Sequence, residues 1–243
     1  MFAVISDVHA NLEALEAVLN DIKNRGILDV FFLGDAVGYG PNPKEVVKIL
    51  YKTCRVMVAG NHDKAVVKPE LDIYFNDMAR EAIKWTRAVM SDDTKQILKD
   101  LPMSYVLRND DIDMHFVHAS PRYPEEWNYI LTFREAELNF HYFNERICFI
   151  GHSHIPFIIE RSKVGELTVR REIPYRIRDD CRYIINVGSV GQPRDGDQRA
   201  CYAIFNEDEI NIIRVPYDIP LTQRKMKDAG LPLPLIDRLS KGV

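Results

Sequence analysis

Five short apolar runs in this sequence each end at a side chain able to bind a metal ion. The run 2–6 leads into Asp7 and His9, 30–33 into Asp35, and 55–59 into Asn61, His62 and Asp63; 113–117 leads into His118, and 146–150 into His152 and His154. Runs this short, rich in Val, Ile and Phe, read as buried strands rather than helices. Helical patterns separate the first three. Leu12, Leu15, Val18, Leu19 and Ile22 fall on one face of a helix that Asn11 can cap and Gly26 can stop, and Val46, Val47 and Leu50 do the same over 44–51. Buried strands joined by helices imply a parallel sheet with helices outside it. Ligands bind at the carboxyl ends of such strands, so residues far apart in sequence are expected to converge there.

The middle of the chain is predicted to be helical over 77–90, over 92–101 with Ser91 as cap, and over 132–143. The last third changes to short strands at 157–161, 167–172, 183–187, 201–205 and 210–215, which predict a second, mostly antiparallel sheet. A tail over about 220–243 carries a short helix and then Pro232 and Pro234. With 243 residues, no repeat and no linker, the chain reads as one α/β domain over 1–243, two packed sheets flanked by helices. Cys54, Cys148, Cys181 and Cys201 are scattered and read as reduced thiols of a cytoplasmic protein. No apolar run approaches the ~20 residues of a membrane span. A net charge of -4 excludes a broadly basic surface for nucleic acid or membrane.

Five of the seven histidines lie at the strand ends. Aspartate, histidine and an amide oxygen suit divalent first-row metals, Mn foremost, with Fe, Zn, Co or Ni as the others. Asp7, His9, Asp35, Asn61, His118, His152 and His154 are too many for one four-coordinate site, but they suit two ions that share a carboxylate. Two ions about 3.5–4 Å apart form a clamp for phosphoryl transfer. Taken alone, His152 and His154 also fit a structural zinc site or polar loop residues. Gly34, Gly60 and Gly151 bracket the same points, where the backbone must turn sharply and approach an ion or phosphate.

The motifs Asp7-Val-His9, Gly34-Asp35, Gly60-Asn61-His62-Asp63, His118 and Gly151-His152-Ser-His154, in that order, resemble those of the calcineurin-like metallophosphoesterase superfamily. Asn186-Val-Gly-Ser-Val-Gly-Gln-Pro-Arg194 resembles a C-terminal segment of one bacterial and archaeal branch. The resemblance implies a four-layer α/β/β/α sandwich of two mixed sheets. It also implies a dinuclear centre, with Asp7, His9 and His154 on one ion, Asn61, His118 and His152 on the other, and Asp35 bridging. His62 would stand beside the ions as the catalytic residue, stabilising the transition state or protonating the leaving alkoxide. One departure matters. Many relatives carry Gly-Asp-x-x-Asp-Arg-Gly where this chain has Gly34-Asp35-Ala-Val-Gly38-Tyr39-Gly40. The Asp that orients the histidine is Gly38 here, and the phosphate-holding Arg is Tyr39. This argues against a protein Ser/Thr phosphatase and leaves the partner of His62 unidentified, with Asp63 the adjacent carboxylate.

Arg122 and Arg194 are candidate phosphate ligands, because a guanidinium binds phosphate oxygens bidentately. Tyr39, Tyr123 and Trp127 are loop aromatics able to stack on a base or merely to pack locally. His115 falls on the face opposite His118 and reads as a core residue, His141 as a surface one; the acidic stretches near Asp110 and Glu207 read as solvated turns. The expected activity is metal-dependent hydrolysis of phosphodiesters or phosphomonoesters of small molecules or nucleotides. The alternative is a catalytically silent scaffold or sensor of the same fold. The expected partner is a small phosphorylated substrate rather than a long nucleic acid or a membrane, with a homo-oligomer left open.

Overall fold

The computed structural model describes residues 1–108 and 112–243. In chain order the elements are β1 (Phe2–Ile5), α1 (Leu12–Asn24), β2 (Val30–Phe32), α2 (Pro43–Thr53), β3 (Val56–Met57), α3 (Asn61–Val67), α4 (Asp77–Val89) and α5 (Asp92–Asp100). Then come β4 (Ser104–Leu107), β5 (Met114–Val117), α6 (Phe133–Phe140), β6 (Ile147–Ile150), β7 (Phe157–Arg161), β8 (Leu167–Arg170) and β9 (Tyr175–Arg176). The chain closes with β10 (Arg182–Asn186), β11 (Ala200–Asn206), β12 (Glu209–Val215), α7 (Ile219–Asp228) and α8 (Leu233–Asp237). Short 3-10 turns lie at Pro69–Tyr74, Pro124–Glu126 and Arg238–Ser240.

Two six-stranded mixed sheets stack face to face, with strand orders β3-β2-β1-β11-β12-β9 and β4-β5-β6-β10-β7-β8. The period-2 alternation of side chains divides each strand between two cores. Val4, Phe31, Leu33, Phe116, Phe149, Tyr183, Ile185 and Phe205 meet between the sheets, where Phe31 and Phe116 stack at 4.6 Å. Their neighbours Ala3, Ile5 and Phe32 point outward, under a layer with Leu15 and Val18 of α1 and Val46 and Leu50 of α2. Cys148, Ile150 and Ile184 point out on the other side, under Ala136 and Phe140 of α6. The result is the four-layer α/β/β/α sandwich. Asn11 caps α1, accepting from the Ala14 N–H at 3.2 Å. No helix among the described residues is long and apolar enough to cross a membrane.

The strands of the last third do not form a sheet of their own. β11 pairs antiparallel with β1 and carries β12 and β9 into the first sheet, whereas β10 pairs parallel with β6 and carries β7 and β8 into the second. Both sheets are therefore mixed, because strand partners were decided by burial over long sequence separations. Ser91 sits at the cap position of α5, but its hydroxyl meets the Thr94 hydroxyl instead of a backbone N–H. α6 ends at Phe140, and Pro234 lies inside the first turn of α8, where its missing N–H costs nothing. Glu207 occupies the tight turn between β11 and β12 with φ 54, while the stretch around Asp110 lies outside the described residues.

Candidate active site

The parallel strands of both sheets end at one edge of the sandwich, and the expected ligands follow them there. The loops after β1 and β2 run side by side, tied by Asp7 N–H to Gly34 O (3.0 Å), His9 N–H to Asp35 O (2.9 Å) and Ala10 N–H to Ala36 O (2.8 Å). Gly151 N–H donates to His118 O at 2.8 Å, bringing the ends of β5 and β6 together. Asn61 and His62 lie in the first turn of α3. The loop after β10 closes the floor: Val190 and Gly191 N–H bond to the carbonyls of Ser6 and Asp7, and the Ser189 hydroxyl donates to Asp7 O at 2.8 Å.

This floor is packed without slack. A Cβ on Gly191 would lie 1.8 Å from Val8 O, a backbone atom fixed by the β1 loop. Gly191→Ala is therefore expected to cost about 3 kcal/mol or more of unfolding free energy, the upper range for overpacking, read as a lower urea midpoint.

All seven expected ligands reach one cluster. Asp7, His9 and His154 bring donor atoms within 4.8 Å of one another, as do Asp35, His118 and His152; His9, Asp35 and His62 form a third such group. Asn61 Oδ1 lies 3.2 Å from His118 Nε2. Three histidines donate Nδ1–H to backbone carbonyls: His9 to Val37 (3.1 Å), His118 to Leu33 (2.8 Å) and His154 to Gln192 (2.6 Å). Each is thereby held with Nε2 facing inward, the tautomer a metal requires. The inward nitrogens crowd together, His9 Nε2 to His154 Nε2 at 3.1 Å and His118 Nε2 to His152 Nδ1 at 3.2 Å. Asp7 Oδ2 accepts the His152 N–H at 2.9 Å, while buried Oδ1 has no hydrogen-bond donor and lies 3.2 Å from His154 Nε2. Asp35 Oδ1 accepts the His62 N–H at 2.8 Å, and Oδ2 lies between the two sets, 3.7 Å from His9 Nε2 and 3.4 Å from His118 Nε2. Converging lone pairs with an orphaned carboxylate oxygen are unfavourable among themselves and fit divalent cations.

The backbone is strained at the same points. Five of the ten non-glycine residues with positive φ among the described residues are expected ligands: Asp7 (φ 54), His9 (φ 49), Asp35 (φ 59), His152 (φ 65) and His154 (φ 60). Each left-handed residue costs roughly 1–2 kcal/mol, and such strain gathers at functional sites.

Burial sets the protonation states. It pushes His62 down to about 4, His152 to about 3, and His9 and His154 below the ordinary value, so these rings are neutral near pH 7. At His118 burial acts the same way, but the charges of Asp35 and Asp7 outweigh it and raise the group to about 9. Burial also works against ionisation of Asp7 and Asp35, yet the surrounding imidazoles hold both below the usual carboxylate range.

Among the described residues no carboxylate is hydrogen-bonded to the His62 ring. The Asp63 carboxylate instead accepts the N–H groups of Asp35 (2.8 Å), Gly60 (3.0 Å) and Val37 (3.3 Å), bracing the loop that carries Asp35. Gly38 packs so closely that a Cβ there would lie 2.3 Å from His62 Nδ1, and that buried nitrogen has no hydrogen-bond partner. The ring is held by aromatic neighbours instead, Tyr39 at 4.5 Å, His9 at 4.8 Å and Phe75 at 4.9 Å.

A cavity of about 560 Å³ opens beside the cluster, and Tyr39, Trp127 and Arg194 line it. Arg122 does not: its guanidinium lies over the rings of Tyr123 (5.2 Å) and Tyr142 (5.6 Å), so it braces its own loop rather than facing the cluster. Tyr123 packs on Tyr142 as well. His115 lies against Phe143 on the outer face of β5, and His141 pairs with Glu137 on the surface. Sequence reasoning missed Tyr74, Phe75 and Tyr129, which also line the cavity. The cap residue Asn76 next to Tyr74-Phe75 was the available signal, since it starts α4 at the cavity wall.

A two-sheet α/β sandwich with a histidine–aspartate cluster at its strand ends is a metallophosphoesterase architecture. The chain belongs to the calcineurin-like phosphoesterase superfamily, whose domain matches residues 1–209. It is 44% identical to an uncharacterised protein of Methanocaldococcus jannaschii over 244 aligned positions, covering 100% of this chain and 98% of the relative. A metallophosphoesterase crystal structure from Sphaerobacter thermophilus superposes with a TM-score of 0.84 at 41% identity, over 100% of this chain and 98% of that one. A hypothetical protein from Pyrococcus horikoshii shares the fold at 22% identity and a TM-score of 0.81, over 100% and 98% of the two chains.

Proposed function

We infer that this protein is a dinuclear metal-dependent phosphoesterase that hydrolyses phosphodiesters or phosphomonoesters of small molecules or nucleotides. The observation that supports it most is the position of Asp35 Oδ2 between two histidine sets, 3.7 Å from His9 Nε2 and 3.4 Å from His118 Nε2. In this reading Asp7, His9 and His154 would hold one ion, Asn61, His118 and His152 would hold the other, and Asp35 would serve both, with Mn the first choice of metal. When bound, such ions lower the pKa of water and draw charge off the phosphoryl oxygens.

The chain's own groups do the rest. Arg194, on the cavity wall, takes a phosphoryl oxygen, and Tyr39 keeps His62 in place from behind. The water oxygen bonds to phosphorus as one of its protons passes to solvent, the P–O bond to the alcohol breaks, and the departing oxygen finally takes a proton from solvent. Burial keeps His62 neutral, and nearby cations would keep it so. His62 therefore serves as an N–H donor through Nε2 to the departing oxygen, not as an imidazolium acid. A neutral histidine acting as electrophile in this way is an established pattern.

The test is a hydrolysis panel of matched monoesters, diesters and nucleotides with each candidate metal. Turnover of an activated diester with Mn²⁺, abolished by chelator and restored by re-addition, is the expected result. Silence with every metal would instead favour the scaffold.

A further inference from the structure

The cavity has two unlike halves. The inner half is the histidine–aspartate cluster, and the outer, more exposed half comes from two separate segments, Leu71, Tyr74 and Phe75 before α4 and Trp127 and Tyr129 before α6. Phe75 also packs against the core, but Tyr74 is 78% exposed and Tyr129 45%. Large aromatic faces left in water at a cavity mouth mark a binding surface. Three of the rings lie against the cluster. Tyr129 lies flat on His152 (4.1 Å, 22°), Trp127 stands edge-on to His118 (5.8 Å, 71°) and Phe75 edge-on to His62 (4.9 Å, 75°). Trp127 has φ 56, a conformation that a bulky residue adopts only when its surroundings impose it.

The charge pattern is equally uneven. Among the described residues lining the cavity, Arg194 is the only Arg or Lys, while Glu125 and Glu126 stand on the Trp127 side. One guanidinium suits one phosphate. A polyphosphate chain extending past the cluster would here run against two carboxylates.

We propose that the outer half is a subsite for a flat aromatic group, and that the substrate is an aromatic phosphodiester with a single phosphate, a nucleoside diester being the fitting class. This rests on the phosphoesterase reading above. The ring lies between Tyr74 with Phe75 and Trp127 with Tyr129, the phosphate faces Arg194 and the cluster, and Glu125 and Glu126 accept from neutral hydroxyls while repelling further phosphate. Stacking of this kind is tolerant of base identity.

The experiment uses the Mn²⁺-loaded protein and two diesters, adenosine 5′-(methyl phosphate) and ribose 5-(methyl phosphate), followed by phosphorus NMR. They share both ester bonds and differ only in the base. The adenosine diester is expected to show a kcat/KM at least ~10-fold higher, mostly through KM, as stacking of one base supplies. Tyr74→Ser and Trp127→Leu are expected to collapse that ratio towards one. Equal rates for the two diesters would overturn the subsite and leave the phosphoesterase reading standing. Faster cleavage of a diadenosine tetraphosphate than of the single-phosphate diester would overturn the charge argument. No hydrolysis of either diester, with any metal, would overturn the diester proposal; turnover of the matching monoesters would leave the phosphoesterase reading standing, and silence there too would remove both.

Discussion

Replacing Asp35 with Asn is expected to reduce bound metal from about two ions per chain to at most one, and to cut turnover by about 10³-fold or more. Asp35 Oδ2 lies between the two histidine sets and nearer to His118 Nε2 than Asp7 Oδ1 does (3.4 against 4.0 Å), and an amide cannot supply the negative charge that holds two cations there. The variant retains an oxygen for the His62 N–H, which Asp35 Oδ1 accepts at 2.8 Å, so the loop and the fold survive. The stability readout separates this from unfolding. Metal at one hundred times its Kd adds about 2.7 kcal/mol to the native state. The wild type should therefore melt higher with Mn²⁺ than with chelator, and the variant should lose most of that difference while its metal-free melting stays close to the wild type's. Metal analysis after dialysis checks the first point. A variant that keeps two ions and its rate would show that Asp35 does not bridge.

His62→Ala should lower kcat by about 10²–10³-fold, the usual cost of removing one donor aimed at developing charge, with metal content unchanged. The pH profile distinguishes the two roles open to this ring. A charged acid whose pKa is depressed to about 4 would lose its proton as pH rises, so activity would decline steadily above that value. A neutral N–H donor gives no such decline between pH 5 and 8, and that is the expected result. Loss of both ions in the variant would instead make His62 a ligand, a role its closeness to His9 and Asp35 leaves geometrically open.

The inner half of the site was legible because its residues follow strands. Asp7, Asp35, His118 and His152 each come directly after a short apolar run or one glycine beyond it, and parallel strands bring such positions to one edge whatever the loops do. The outer half was not. Tyr74, Phe75 and Tyr129 reach the cavity through 3-10 turns and irregular segments whose direction no periodicity encodes. Arg122 misled for the same reason: it follows His118 closely, but the loop turns its guanidinium onto Tyr123 and Tyr142. The division of the late strands between the sheets was hidden as well. β11 reaches across most of the chain to pair with β1, a choice set by burial on both faces rather than by local sequence. Gly38 is the reverse case. Its departure from the Asp of the motif it resembles was visible in the sequence, but only the packing shows that His62 is held by rings.

The most direct test is anomalous diffraction at the manganese edge from crystals grown with Mn²⁺. Two peaks about 3.5–4 Å apart, with the Asp35 carboxylate touching both, are the predicted result. A single peak, or two ions in separate pockets with Asp35 on neither or only one, would contradict the account at its centre.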